Sequence, residues 1–192
     1  MLATSVPVPS LTQGQVPQSL VSPNLVSQSL GTAPQGLWRS ASFPVENFQA
    51  YTSSFGYRRS ATGGSTQEFH YGLDIAAPLG SYIRSWWMGQ VVEVSDDSRC
   101  GTSVVVESGT WEHIYCHLQG KVEVIRGQRY MVDREGGLQI REGQVLSTGT
   151  RIGRVGMTGR TTGPHLHWGM KNKGQWVDPA RVLRAMQSSQ IS

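Results

Sequence analysis

Long apolar runs are missing from this 192-residue chain. None approaches the roughly 18 to 20 residues that a membrane-spanning helix needs, so no transmembrane segment is expected. Cysteine is scarce: Cys100 and Cys116 are too few for a disulfide framework and lack the C-x-x-C spacing of a zinc-thiolate knuckle. Charge is thin, at 16% of residues. The formal net charge of +4 favours encounters with anionic polymers such as nucleic acid or an acidic cell wall. The basic residues are nevertheless scattered rather than massed, and no nucleic-acid partner is expected. No H-E-x-x-H stretch is present, which excludes a helix-borne glutamate base of the common metalloprotease kind.

The N-terminal stretch lacks charge altogether. Met1 to Trp38 contain no Asp, Glu, Lys, Arg or His and hold five of the nine prolines. Such a segment cannot bury enough apolar surface to offset the entropy of ordering it, so residues 1–40 are expected to form a disordered Pro/Ser/Gln-rich linker. It has no basic n-region and its apolar residues are interrupted, so it does not read as a secretion signal, and any signal or anchor is expected upstream.

What is present from about Phe43 onward is a glycine-punctuated series of short β-branched runs. "GQVVEV", "TSVVVES", "HIYCHL", "KVEVI" and "GTRIGRVG" are bounded by turn residues and predict a mainly β, antiparallel domain over residues 41–186. "ESGTWE" reads as a hairpin turn. If it closes near Ser108 and Gly109, Cys100 and Cys116 fall opposite each other, either as a cross-strand disulfide or as two buried thiols. Trp86 and Trp87 stand side by side, and packing of both is favoured over a glycan-stacking platform. "DPARVLRAM" supplies Asp178 as an N-cap and Pro179 as a first helical residue, so a short C-terminal helix is expected, with residues 187–192 as a tail.

Five histidines remain to be explained. His70 and Asp74 flank Gly72 in "HYGLD". On a straight strand their side chains would stand about 13 Å apart, whereas two ligands of one zinc lie within about 3 to 3.5 Å, so the chain must bend, and glycine permits a bend. His165 and His167 in "GPHLHW" are two apart and face one way on a strand, about 6.5 to 7 Å from each other. One can bind a metal while its neighbour stands beside it at hydrogen-bond distance from substrate, and the spacing does not say which. His117 is expected to share a strand face with Tyr115, with Cys116 turned away. His113 reads as an ordinary solvated or packing histidine. Two imidazoles and one carboxylate leave a four-coordinate zinc with an open position, the pattern of a catalytic site.

These motifs, "HYGLD", "YCHL" and "GPHLH" in this order, together with "FGYR" and "VGMTGRTTGPHLHW", resemble the lysostaphin-type or LytM-like zinc metallopeptidases that cleave peptide cross-links in bacterial cell walls. The likeness runs from about Ser53 to Leu183. It implies an antiparallel sheet domain of the duplicated hybrid motif type, one Zn2+ ion held by His70, Asp74 and His167, and His117 and His165 as non-ligand catalytic histidines. Peptidoglycan stem or bridge peptides are the implied partners, and an extracytoplasmic location follows from them; a monomer is expected. Residues 121–147 exceed the family's usual connection and are expected to fold as a hairpin around "DREGG", adding a wall beside the groove. A second reading is a non-catalytic LytM-like domain that binds and activates another wall hydrolase; members used that way typically lack metal ligands.

Overall fold

Alternation of apolar and polar residues along short strands gives one large antiparallel sheet two different faces. The computed structural model describes residues 37–60 and 66–191. The first strands are β1 (Ala50–Ser53), β2 (Gly56–Arg59), β3 (Gln67–His70), β4 (Gly72–Ala76) and β5 (Tyr82–Arg84). The middle of the chain forms β6 (Gly89–Asp97), β7 (Gly101–Ser108), β8 (Trp111–Cys116), β9 (Lys121–Ile125), β10 (Gln128–Asp133) and β11 (Leu138–Arg141). Then follow β12 (Val145–Leu146), β13 (Arg151–Arg154), β14 (His165–Asn172), β15 (Gln175–Trp176) and helix α1 (Pro179–Ile191). The large sheet runs β1-β4-β14-β8-β7-β6-β12, with β15 paired to β14. No described helix is long and apolar enough to cross a membrane.

On the inner face of this sheet, Leu166, Trp168 and Met170 of β14 pack with Leu73 and Ile75 of β4, Tyr115 of β8 and Val104 and Val106 of β7. Helix α1 closes this core with Val182, Leu183 and Met186. Its start follows the expected cap, since the Ala180 N–H donates to Asp178 Oδ1 at 2.9 Å. Its end differs. The helix continues to Ile191 rather than stopping before a tail, because the Arg39 side chain donates to the Ser189 carbonyl and Gln190 donates to Ala41 O at 3.0 Å.

Residues 1–36 of the expected linker lie outside the described residues. The last four of that linker do not. Leu37–Ser40 form a 3-10 helix, and Trp38 packs edge-on against Trp86 and Trp111 at 5.8 and 5.9 Å. One large ring with two aromatic neighbours recovers enough apolar contact to order the chain before residue 41. Trp86 and Trp87 are both buried, as the packing reading requires.

The segment after His117 forms the three-stranded sheet β9–β10–β11, with the "DREGG" residues turning between β10 and β11. It does not wall the groove of the site described below. Met131 and Ile140 join the main core instead, so the apolar face of this sheet is spent on the body of the domain. Asp133 of β10 locks it there through a two-pronged contact from Arg154 of β13, at 2.6 and 2.8 Å.

His113 of β8 faces the core, fully buried edge-on to Trp86 at 4.9 Å. Neither ring nitrogen has a hydrogen-bond partner among the described residues. Burial lowers its pKa to about 3. An unfolded imidazole titrates near 6.5, so below that pH the unfolded chain takes up a proton that the folded one refuses. Stability is therefore lost as pH falls from about 6.5 toward 3, by up to about 1.4 kcal/mol per pH unit. Replacing His113 by Leu should flatten this dependence: in urea titrations at pH 7 and 4.5, the variant should lose about 2 to 3 kcal/mol less than the parent. Equal losses would refute the assignment.

Candidate metal centre

The outer face of the large sheet carries the other alternation set. Strand β14 lies between β4 and β8, with His167 opposite Asp74 on one side and Cys116 on the other. His70 arrives from β3, which belongs to a separate two-stranded sheet with β2, so the chain does turn between His70 and Asp74. Gly72 is not in the left-handed region. Its lack of a side chain serves a different end, because a Cβ there would stand 2.6 Å from His167 Cε1 and 2.7 Å from Nε2. Glycine at 72 makes room for the imidazole.

Three donor atoms converge. Asp74 Oδ1 stands 3.0 Å from His70 Nε2 and 2.9 Å from His167 Nδ1, and those two nitrogens are 2.9 Å apart. The His70 Nδ1–H donates to the Ser54 carbonyl at 2.8 Å, a contact that leaves Nε2 with a lone pair in the neutral ring. When both rings are neutral, at most one proton, on His167 Nδ1, can sit among three acceptor atoms. A divalent cation resolves this. The spacings come within a few tenths of an ångström of the roughly 3 to 3.5 Å between ligands of one zinc, and the nitrogen and oxygen donors suit that ion. These three residues could therefore hold a metal.

Asp74 is buried and its second oxygen is also committed, accepting from Arg58 Nη1 at 3.0 Å. Arg58 is held in turn by Ser53 Oγ and by Glu68 at 3.4 Å. Burial alone would raise the Asp74 carboxyl, but hydrogen bonds and charge from His167 and His70 outweigh it and hold it well below the usual carboxylate range. His167 is lowered by burial against the opposing pull of Asp74.

His117 and His165 flank this triad. The ring of His165 lies with its Nε2 3.6 Å from Asp74 Oδ1, and its Nδ1–H donates to Gly163 O at 2.8 Å. His117 Nδ1–H donates to Thr158 O at 2.9 Å, and the two rings stand 4.9 Å apart. Both therefore present Nε2 to the groove. Burial lowers the His117 pKa to about 4, assisted by the neighbouring imidazoles His165 and His167 and opposed by the Thr158 carbonyl.

The route by which His117 reaches the groove departs from the strand reading. Tyr115 turns into the core and Cys116 lines the groove, the reverse of what alternation through His117 requires. Strand β8 ends at Cys116, and His117 adopts φ 62°, which swings its ring onto the same side as Cys116. Cys116 is bonded to Cys100, with Cα atoms 4.9 Å apart, so the alternative of a disulfide is the one realised. That bond, the His117 N–H donated to Cys100 O at 2.8 Å, and the Thr158 hydroxyl accepting from Thr102 N at 2.9 Å all brace the His117 corner. Arg58, although inside the noted "FGYR" stretch, carried no sequence signal for gripping Asp74, and backbone carbonyls such as Ser54 O and Thr158 O carry none at all.

The profile of Peptidase family M23 matches residues 68–135 and 129–179, spans that contain all five candidate residues. Peptidoglycan DD-endopeptidase ShyA of Vibrio cholerae is 30% identical over 148 residues, 77% of this chain and 30% of ShyA. DD-carboxypeptidase/endopeptidase Mpg of Neisseria meningitidis is 33% identical over 132 residues, 68% of this chain and 26% of Mpg. The chain thus spans less than a third of the length of these relatives. A zinc containing peptidase from Vibrio cholerae superposes with a TM-score of 0.55 at 28% identity, over 75% of this chain and 38% of that one. The catalytic domain of lysostaphin from Staphylococcus simulans shares the fold, with a TM-score of 0.53 at 23% identity over 72% of this chain and 93% of that domain.

Two outcomes follow from this geometry. Gly72→Ala should push aside the His167 ring and the Trp168 carbonyl, which would lie 2.9 Å from the new Cβ, and so weaken zinc binding roughly tenfold or more, read by competition with a chelating dye. Reducing the Cys100–Cys116 bond, which closes a loop with a sequence separation of 16, should lower unfolding free energy by about 3 kcal/mol in denaturant titrations with and without reductant.

Proposed function

The chain belongs to Peptidase family M23, and on that premise we propose that it is a zinc-dependent endopeptidase hydrolysing peptide cross-links of bacterial peptidoglycan. The convergence of His70, Asp74 and His167 within 3.0 Å, beside two further imidazoles that each aim Nε2 into one groove, carries this reading. His70 Nε2, Asp74 Oδ1 and His167 Nδ1 would hold one zinc ion. Bound there, zinc supplies Lewis acidity, activating water for attack and polarising the scissile carbonyl.

The protein's own groups do the rest. His117 Nε2, freed by the commitment of Nδ1–H to Thr158 O, accepts a proton from the attacking water and returns it to the departing amine as the C–N bond breaks. His165, oriented by Gly163 O, donates from its protonated Nε2 to the oxygen on which negative charge develops. Arg58 holds the far oxygen of Asp74, which keeps the near one aimed at the metal position. Stem or bridge peptides are the substrate, in keeping with the names of ShyA and Mpg. In this reading the chain works outside the cytoplasm as a monomer, and the disulfide supports an oxidising compartment.

Substitution separates the roles. Asp74→Ala and His167→Ala should lose both stoichiometric zinc, by atomic absorption, and cleavage of purified muropeptides, by mass spectrometry. His117→Ala and His165→Ala should keep zinc and lose roughly 10²- to 10⁴-fold in kcat. A wild-type domain that takes up no zinc, cuts nothing and stimulates a separate wall hydrolase would replace this reading with the non-catalytic one.

A further inference from the structure

The groove over the metal centre has two chemically different ends, and the register of β14 orders them. Moving along its outer face, Gly169 lies beside Gly72 and Ile114, His167 beside Asp74 and Cys116, and His165 beside Ala76. Each step of two residues is about 6.5 to 7 Å. At the Gly169 end the walls are apolar: Tyr71, Ile114 and Trp176 line it, with the Tyr71 and Trp176 rings 5.0 Å apart, and a Cβ on Gly169 would meet the Trp176 ring at 3.3 Å and Ile114 at 3.4 Å. Beyond His165 and His117 the lining changes to Arg99, Arg160, Thr161 and Thr162.

Charge in this groove is unbalanced. Three guanidiniums line it, from Arg58, Arg99 and Arg160, against the carboxylates of Glu68 and Asp74. Arg58 is committed to Asp74 and Glu68, and Arg160 reaches Glu68 at 3.3 Å. Arg99 is exposed, and no carboxylate pairs with its side chain among the described residues. Its backbone is clamped all the same. Asp97 Oδ1 accepts from Arg99 N at 2.6 Å and from Cys100 N at 2.7 Å, and Arg160 N donates to Arg99 O at 3.0 Å. The disulfide to Cys116 ties the next residue to the strand edge beside His117. Gly101 and Gly159 pack so closely that neither has room for a side chain. A free cation on a braced turn is preorganised for an anionic ligand.

From this arrangement we infer that Arg99 is a specificity residue that binds a free carboxylate of the substrate peptide, an inference that rests on the endopeptidase reading above. The planar guanidinium fork matches a carboxylate with two parallel hydrogen bonds. The Arg99 turn is tied through Cys100 to Cys116, which lies beside His167, so a peptide crossing the groove passes this guanidinium. Both a chain-terminal and a side-chain carboxylate carry the required chemistry.

Three versions of one cross-linked peptide test this on the zinc-loaded full chain: all carboxylates free, the chain terminus amidated, and the side chain amidated. The wild type should prefer the free form over one of the amidated forms by about tenfold in kcat/KM, the worth of one charge-assisted hydrogen bond, and the form that suffers identifies the carboxylate. Arg99→Gln should bring that ratio to near one, and Arg99→Lys should leave an intermediate ratio. A general loss of structure would lower all three rates together and leave the ratio in place. Equal wild-type rates on all forms, or a preference that survives Arg99→Gln, would overturn the inference and leave the endopeptidase reading intact. If no form is cut, the endopeptidase reading fails, and calorimetric titration of the same peptides decides for Arg99. Binding that requires the carboxylate and vanishes in Arg99→Gln supports it, and binding indifferent to amidation rejects it.

Discussion

A buried carboxylate must be compensated, and Asp74 sets the terms for the rest of this molecule. One oxygen is gripped by Arg58, the other by the imidazoles of His70 and His167. Each partner comes from a different element, so the carboxylate draws β2, β3, β4 and β14 to one point. Gly72 is part of the same constraint, since only a residue without a side chain lets the His167 ring approach.

The second set of constraints concerns His117. A non-glycine residue in the left-handed region costs free energy, and such strain persists where surrounding contacts over-determine it. Here the contacts are the Cys100 carbonyl on its N–H, the Thr158 carbonyl on its ring and the disulfide one residue earlier. The turn carrying Arg99 shares this bracing. The His117 corner and the turn carrying Arg99 are thereby held by one set of contacts, while the β9–β11 sheet stays apart from the groove and serves the core.

Much of this is legible in the amino-acid sequence. Period-two alternation is a local property, so β14 could be read as placing His165 and His167 on one face and Leu166 and Trp168 on the other. The same rule failed at His117, because alternation holds only while the strand continues, and its end depends on contacts from Cys100 and Thr158 that lie far along the chain. Trp38 ordered Leu37–Ser40, the last four residues of the stretch that composition alone marked as linker, through rings at positions 86 and 111. The fate of residues 121–147 was likewise a matter of where an apolar face could be buried, and the core offered more than the rim of a groove.

By itself, then, the sequence determined the set of chemical groups: an imidazole and carboxylate around a glycine, a strand-borne histidine pair, a third histidine and two cysteines. Side-chain identity and short-range periodicity suffice for that. Only the tertiary structure decided which atoms meet, because the three donors come from separate strands and their 2.9 to 3.0 Å spacing depends on sheet register and a bend. It also decided that Cys100 and Cys116 bond, that Arg58 is spent on Asp74, and that Arg99 is left facing the groove. Those outcomes are set by long-range packing and charge balance, which no local pattern encodes.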